Sequence, residues 1–229
     1  VLSTTTFEFQ IDSALQYLIS GIGRSVYILC GGEDSLQDGY PYVQSWLSEA
    51  GFICFEITTE QLIDTQKIDL RTPLLVLGNS EITKDAAASI ERFAMAGGKI
   101  CFAVSAITAD KTTWAVSPIV ANPILEMLDY WGFSIKTAIV GDQSNYKITM
   151  QAQDSVDTQY INYPFWIVSQ QINVSDSSPI TDYFGGLELY WPSPMELYST
   201  DAFHIEPIVQ SSKRSWIQKT KIENGTDPY

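Results

Sequence analysis

The residues of this chain that could carry chemistry are few and widely spaced. Cys30 ends the apolar run Tyr27-Ile28-Leu29-Cys30 and is followed by Gly31, Gly32, Glu33 and Asp34. A thiol at such a turn begins to resemble a nucleophile elbow, but that chemistry also needs a sharp exposed bend and a base within hydrogen-bond reach. The sole histidine, His204, lies in a distant apolar segment and reads as a core or surface residue rather than half of a dyad. Gly31-Gly32 would let a backbone approach a phosphate, yet Glu33 and Asp34 repel one, and no Lys-Ser/Thr pair completes a phosphate loop. Glu33, Asp34 and Glu81 offer oxygen ligands to a hard cation, though each is equally a solvated turn acid. Cys54 and Cys101 sit in apolar runs as Cys30 does. Three cysteines without paired spacing make neither a disulfide framework nor a zinc site, so all three are expected to be buried as small hydrophobes. No catalytic set, metal site or cofactor motif emerges.

The elements that would position these residues are clearer. Leu74-Leu75-Val76-Leu77 is a short apolar run suited to a strand covered on both faces, and Gly78-Asn79-Ser80 ends it. Thr83 can cap a helix, Asp85 complements its dipole, and Ala86, Ile90, Phe93 and Ala94 form one buried stripe before Gly97 stops it. Residues 99–104 return as a second strand, expected to be parallel to the first. The same alternation recurs on either side. A helical stripe of Ile11, Ala14, Leu15, Leu18 and Ile19 precedes a strand over 26–30, and a helix marked by Tyr40, Val43, Leu47 and Ala50 precedes a strand over 52–57. Asn122 and Pro123 open another helix with an apolar face of Leu125, Leu128 and Trp131, and a strand over 133–140 follows Gly132. The fold class is therefore α/β, a mainly parallel sheet with helices on both faces in the flavodoxin-like or class I glutamine amidotransferase-like manner.

Beyond residue 140 the texture changes, with strands expected over 146–150 and 205–210 and with Pro164, Pro179, Pro192 and Pro194 interrupting the chain. We expect residues 1–140 to form the core and 141–229 a strand-and-loop extension packed on the same domain. In an open parallel sheet ligands bind beyond the carboxyl ends of the strands, which points to Gly32, Glu33, Asp34, Asn79, Ser80 and Ser105 as a ligand or partner surface. The last third is crowded with aromatic side chains, and Trp166 and Trp191, in proline-bounded segments, are its expected exposed members, suited to a protein interface or to sugar stacking.

Composition narrows the partners. The chain has 229 residues, 45% of them apolar, and 13 basic against 27 acidic side chains for a net charge of −14. That charge repels phosphate backbones and anionic lipid, so nucleic acid is not an expected partner. No apolar run reaches the roughly 20 residues that span a bilayer, and the N-terminal residues lack the basic and apolar regions of a signal peptide. A start at Val1 rather than Met fits a processed or excised piece.

The order of segments also resembles a known family, the auxiliary component of an uncharacterised ABC-type transport system named after the gliding-motility protein GldG, whose fold is shared by an intraflagellar-transport subunit domain. The resemblance is carried by Val26-Tyr27-Ile28-Leu29-Cys30-Gly31-Gly32-Glu33, by residues 74–78, 90–98 and 99–104, and by Asn122 to the glycine at 132. More particular are Tyr163-Pro164-Phe165-Trp166 with Ser178-Pro179-Ile180-Thr181, and the tail Ile205-Glu206-Pro207-Ile208-Val209-Gln210-Ser211-Ser212 with Ser215-Trp216. A histidine often found in the family's first glycine turn is missing. The resemblance implies a non-catalytic extracytoplasmic accessory domain of a membrane-anchored bacterial protein. It further implies permease or ATPase subunits, or other membrane-complex proteins, as partners and anchors outside this stretch. A hydrolase or amidotransferase-like enzyme on the same fold, and a carbohydrate-binding module, are the alternatives.

Overall fold

A computed structural model describes residues 11, 14, 15, 18, 24–31, 35–64, 68–80, 82–110, 112–151, 158–170, 186–199, 204–218 and 221–228. The chain divides into two compact units, the first made of Val1–Val104 with Ala121–Met127 and the second of Ser105–Val120 with Leu128–Tyr229. Residues 141–229 thus all belong to the second unit, together with segments that precede them.

The first unit is the expected parallel sheet. Its strands are β1 (Arg24–Cys30), β2 (Phe52–Glu56), β3 (Leu74–Leu77) and β4 (Ile100–Ala103), in the order β2-β1-β3-β4. All three pairings are parallel. The connections between β1 and β2 are α1 (Leu36–Gly39) and α2 (Pro41–Glu49); α3 (Thr59–Ile63) follows β2, and α4 (Lys84–Met95) links β3 to β4. Right-handed crossovers that step in opposite directions along a sheet land on opposite faces, which is why helices flank both sides. On one face Val26, Ile28 and Leu77 are buried with Leu36, and Tyr40, Val43 and Leu47 pack against them. Leu74 and Val76 point to the other face and are equally buried.

Local chemistry sets the helix boundaries. Thr83 accepts the Ala86 N–H at 3.2 Å and caps α4 as the sequence implies, and Ala86, Ile90 and Phe93 are buried. Gly97 adopts φ +94 just past the helix. Thr58 and Gln61 form a reciprocal capping box at α3, a signal the sequence reading passed over. The early helical stripe is represented by Ile11, Ala14, Leu15 and Leu18, which are helical but exposed.

The second unit is built from antiparallel pieces. Hairpin β5 (Ile107–Ala109) and β6 (Val116–Pro118) is a separate two-stranded sheet that shares its buried core with the sheet β11-β10-β9, formed by β9 (Asn145–Gln151), β10 (Thr158–Ser169) and β11 (Leu187–Tyr190). The expected strand over 133–140 is two strands, β7 (Phe133–Ile135) and β8 (Val140–Asp142). A tight turn at Lys136, whose C=O accepts the Ala138 N–H at 2.8 Å, breaks it. β7 then pairs with β12 (Met195–Leu197) and β8 with β13 (Ser215–Ile217). The expected strand over 205–210 does not form: only Val209 makes a bridge, and Pro207 has no N–H to give a ladder. Pro164, expected to interrupt the chain, lies inside the long strand β10. It is tolerated there because the register against β9 shifts between Tyr163 and Ile167, a bulge where no ladder N–H is required. α5 (Pro123–Tyr130) runs across the boundary between the units in sequence; its buried residues are Ile124, Met127 and Leu128, while Leu125, expected on the apolar face, is half-buried.

Candidate functional site

In the first unit the sheet order places the switch point, where successive crossovers part, between the carboxyl ends of β1 and β3. This is where an open α/β sheet binds ligands. Here the two strand ends close on each other. Gly31 donates its N–H to the Leu77 C=O at 2.7 Å, and a Cβ built on Gly31 would lie 2.5 Å from the Gly78 carbonyl oxygen. Gly78 itself sits at φ +72, with the Tyr40 hydroxyl 2.7 Å from where its Cβ would be. Only glycines allow this contact of backbone on backbone.

Asn79 is 2% exposed, and Ser80 donates its hydroxyl to the Gly31 C=O at 3.3 Å, so both predicted residues are turned into the strand ends. Gly32, Glu33 and Asp34, and the candidate acid Glu81, lie outside the described residues. The residue the sequence reading missed is Asn122. Its amide donates to the Asn79 C=O, while its Oδ1 accepts the Ile124 N–H at 3.0 Å and the Leu125 N–H at 3.3 Å. One buried side chain thus caps α5 and ties it to the chain just past β3. Asn before Pro was a legible helix start; its second contact, across 43 positions, was not.

The other predicted residues belong to the second unit. Ser105 has its hydroxyl 3.2 Å from that of Ser193 and accepts the Ile107 N–H at 3.2 Å. Trp166 and Trp191 are half-buried rather than displayed. They pack with Trp114 and Tyr163 in a cluster whose indole centroids are 5.0 Å (Trp114–Trp166), 5.5 Å (Trp166–Trp191) and 6.1 Å (Trp114–Trp191) apart. The Trp191 indole N–H donates to the Tyr163 hydroxyl at 3.1 Å, whereas the buried Trp166 Nε1 has no hydrogen-bond partner among the described residues. Trp114 and Trp191 hold left-handed backbone at φ 61 and φ 47, strain that persists because ring packing fixes it.

The thiols differ from expectation. Cys30 and Cys54 are half-buried against the first face of the parallel sheet, as a packing role requires, but Cys101 on β4 is exposed. The sheet alternation turns Cys101 to the same face as Leu75, on the edge strand β4. Partial desolvation still raises the thiol pKa of both Cys101 and Cys54. His204 is exposed. Among the described residues no three His, Cys, Asp or Glu side chains gather to hold a metal.

A fully buried carboxylate that sequence reasoning did not single out organises the second unit. Asp142, 0% exposed, accepts the Ser212 N–H at 2.6 Å, the Ser212 hydroxyl, and the Ser144 N–H at 2.9 Å. Beside it Arg214 donates to the Gln143 Oε1 at 3.1 Å and Trp216 lies over Gly141. This explains the serines and the tryptophan of the tail motif: they fasten the last strand to β8.

With this geometry in place, comparison with known proteins decides the family. Residues 24–228 match the family described as an ABC-type uncharacterized transport system, of which the matched proteins are auxiliary components. The chain belongs to this family. The match takes in both units, from β1 to the last described residue. A protein of Borreliella burgdorferi, itself titled uncharacterized, is 23% identical over 231 residues, covering 98% of this chain and 44% of the relative. The chain thus spans under half the length of that relative. No solved structure matches it. Membership places the chain in a family of auxiliary components of ABC-type transport systems. Among the described residues no helix is long and apolar enough to cross a membrane.

Proposed function

We propose that the chain is a non-catalytic, extracytoplasmic interaction domain through which the auxiliary component engages the ATPase and permease subunits of its transporter. The family match over residues 24–228 carries this reading. The close backbone approach of Gly31 to Gly78 and the bond from Asn122 to the Asn79 C=O support it, because among the described residues these groups at the strand ends are engaged with one another. The likeness to GldG suggests that membrane anchors flank the domain in the whole protein, and that motility-linked transport is one form of its role.

Two experiments test it. Cys101 is exposed, so a membrane-impermeant maleimide added to intact spheroplasts labels it if the domain lies outside the cytoplasm, with labelling faster above neutral pH because the thiol pKa is raised. Labelling only after lysis, lost in Cys101→Ser, would put the domain inside. Affinity purification of the full-length protein from detergent-solubilised membranes should bring down an ATPase and a permease. Purification without either, together with an esterase or amidase activity abolished by Cys30→Ser, overturns the reading in favour of an enzyme.

A further inference from the structure

Two strands of the second unit repeat one tetrapeptide pattern: Leu187-Glu188-Leu189-Tyr190 is β11, and Met195-Glu196-Leu197-Tyr198 is β12 with the residue after it. In each, the tyrosine hydroxyl donates to the carboxylate two residues earlier, Tyr190 to Glu188 at 2.8 Å and Tyr198 to Glu196. All eight residues are exposed. The two strands differ in the edge they use.

In β12 the Glu and Tyr positions face the neighbouring strand. Tyr198 donates its N–H to the Gly132 C=O at 2.8 Å and Pro194 accepts the Lys136 N–H at 2.9 Å. There Lys136 Nζ lies 3.1 Å from Glu196. In β11 the alternate positions are used: Trp191 donates its N–H to the Phe165 C=O at 2.8 Å, and Leu189 is paired with Ile167. Neighbouring residues of a strand turn their backbone groups to opposite edges, so those of Glu188 and Tyr190 face away from β10. β11 is the end strand of its sheet. Among the described residues nothing pairs with this outer edge, and no cation stands against Glu188.

We propose that the outer edge of β11 is a strand-addition site for an extended segment of a partner protein, one that alternates apolar residues and carries a lysine or arginine placed to meet Glu188. The edge that β12 gives to β7 and Lys136 is the same edge, in the same sequence pattern, that β11 leaves open. Backbone bonds supply affinity in such additions and the alternate side chains supply selectivity. The charge of −14 favours a basic segment and opposes a second copy of this chain, which would also bring Glu188 near its own counterpart. The proposal concerns the docking edge alone and stands whether or not the partner is a transporter subunit.

The probe is a labelled synthetic peptide with the sequence of residues 132–137, the strand that β12 already accepts, titrated into the whole chain and followed by anisotropy. Saturable binding is expected. Glu188→Pro should abolish it, because that N–H points outward and the pairing with β10 survives its loss. Glu188→Lys should weaken it about fivefold, and a peptide with glutamate in place of Lys136 should bind that variant better than the native peptide does. Circular dichroism confirms that each variant is folded. Three results overturn the proposal. One is no binding at millimolar peptide; another is binding lost in Glu196→Lys but untouched in both Glu188 variants, meaning that β7 is being displaced from β12. The third is a wild-type dimer in sedimentation that Glu188→Pro dissolves, which would make the occupant a second copy.

Discussion

The helix boundaries of the first unit are set by contacts of short reach, whereas the polar contacts that fasten the second unit are of long reach. In the parallel sheet each strand, turn and helix follows the last, and the caps at Thr58 and Thr83 bond residues three positions away. In the antiparallel unit the decisive polar contacts join Asp142 to Ser212 across 70 positions, Ser105 to Ser193 across 88, and the Gly225 N–H to the Ser117 hydroxyl across 108. Chain entropy lost in closing such loops must be offset before any of these bonds forms, so the second unit should be the more sensitive to single losses. Tryptophan reports on the difference, since Trp46 belongs to the first unit and the other five of the six to the second.

The largest expected effect is at Asp142. Its replacement by alanine strands the Ser212 and Ser144 donors in a buried site and should destabilise the second unit by about 3 kcal/mol, read as an early urea transition in total tryptophan fluorescence. If that transition moves equally with one monitored through Trp46, the two units unfold together and the contrast fails. Next is Gly31→Ala, whose Cβ would meet the Gly78 carbonyl; about 2 kcal/mol should be lost from the first unit. A neutral result would show that the switch point is loose enough to admit a ligand. Asn122→Ala removes the α5 cap and the bond to Asn79 together and should cost about 1–2 kcal/mol, with Asn122→Ser recovering the cap alone.

The smallest effect is that of pH. Asp110 is held below the usual carboxylate range by the N–H groups of Thr113 and Thr112, and Glu196 by the Tyr198 hydroxyl and Lys136. A carboxyl depressed in the folded state stabilises above its unfolded pKa, and that stability is lost as pH falls through the lower folded value. Tyr190 and Tyr198 are raised by their bonds to Glu188 and Glu196. Their contribution is complete below the ordinary tyrosine pKa and lost as pH rises through the folded value. Thermal midpoints should therefore be level through neutrality and fall at both ends, the acid limb weakening in Glu196→Gln. An unchanged acid limb in that variant would remove Glu196 from the account.

How much was legible follows the same divide. Leu74-Leu75-Val76-Leu77, the stripe of Ala86, Ile90 and Phe93, and the stop at Gly97 were readable because each signal acts within a few residues of its effect. The single strand expected over 133–140 failed because the turn at Lys136 sends its two halves to different partners, Met195–Leu197 and Ser215–Ile217. Cys101 looked like Cys30 in sequence, yet in the fold it is exposed where Cys30 is half-buried. Of the candidate site, Asn79 and Ser80 were correctly put at a strand end, while the part played by Asn122 could not be seen in a helix cap.

The sequence by itself determined that this protein would build a covered parallel sheet, since hydrophobic period, caps and glycine stops are local and act alike in any context. It also determined the net charge of −14. Only the tertiary structure decided which way each later strand would pair, that one asparagine would join a helix cap to the chain past β3, that a buried aspartate would fasten the tail, and which edge of a repeated strand would stay unpaired among the described residues. Those outcomes depend on residues tens of positions apart meeting with one geometry, and pairwise geometry is not written in the spacing of residues along a chain.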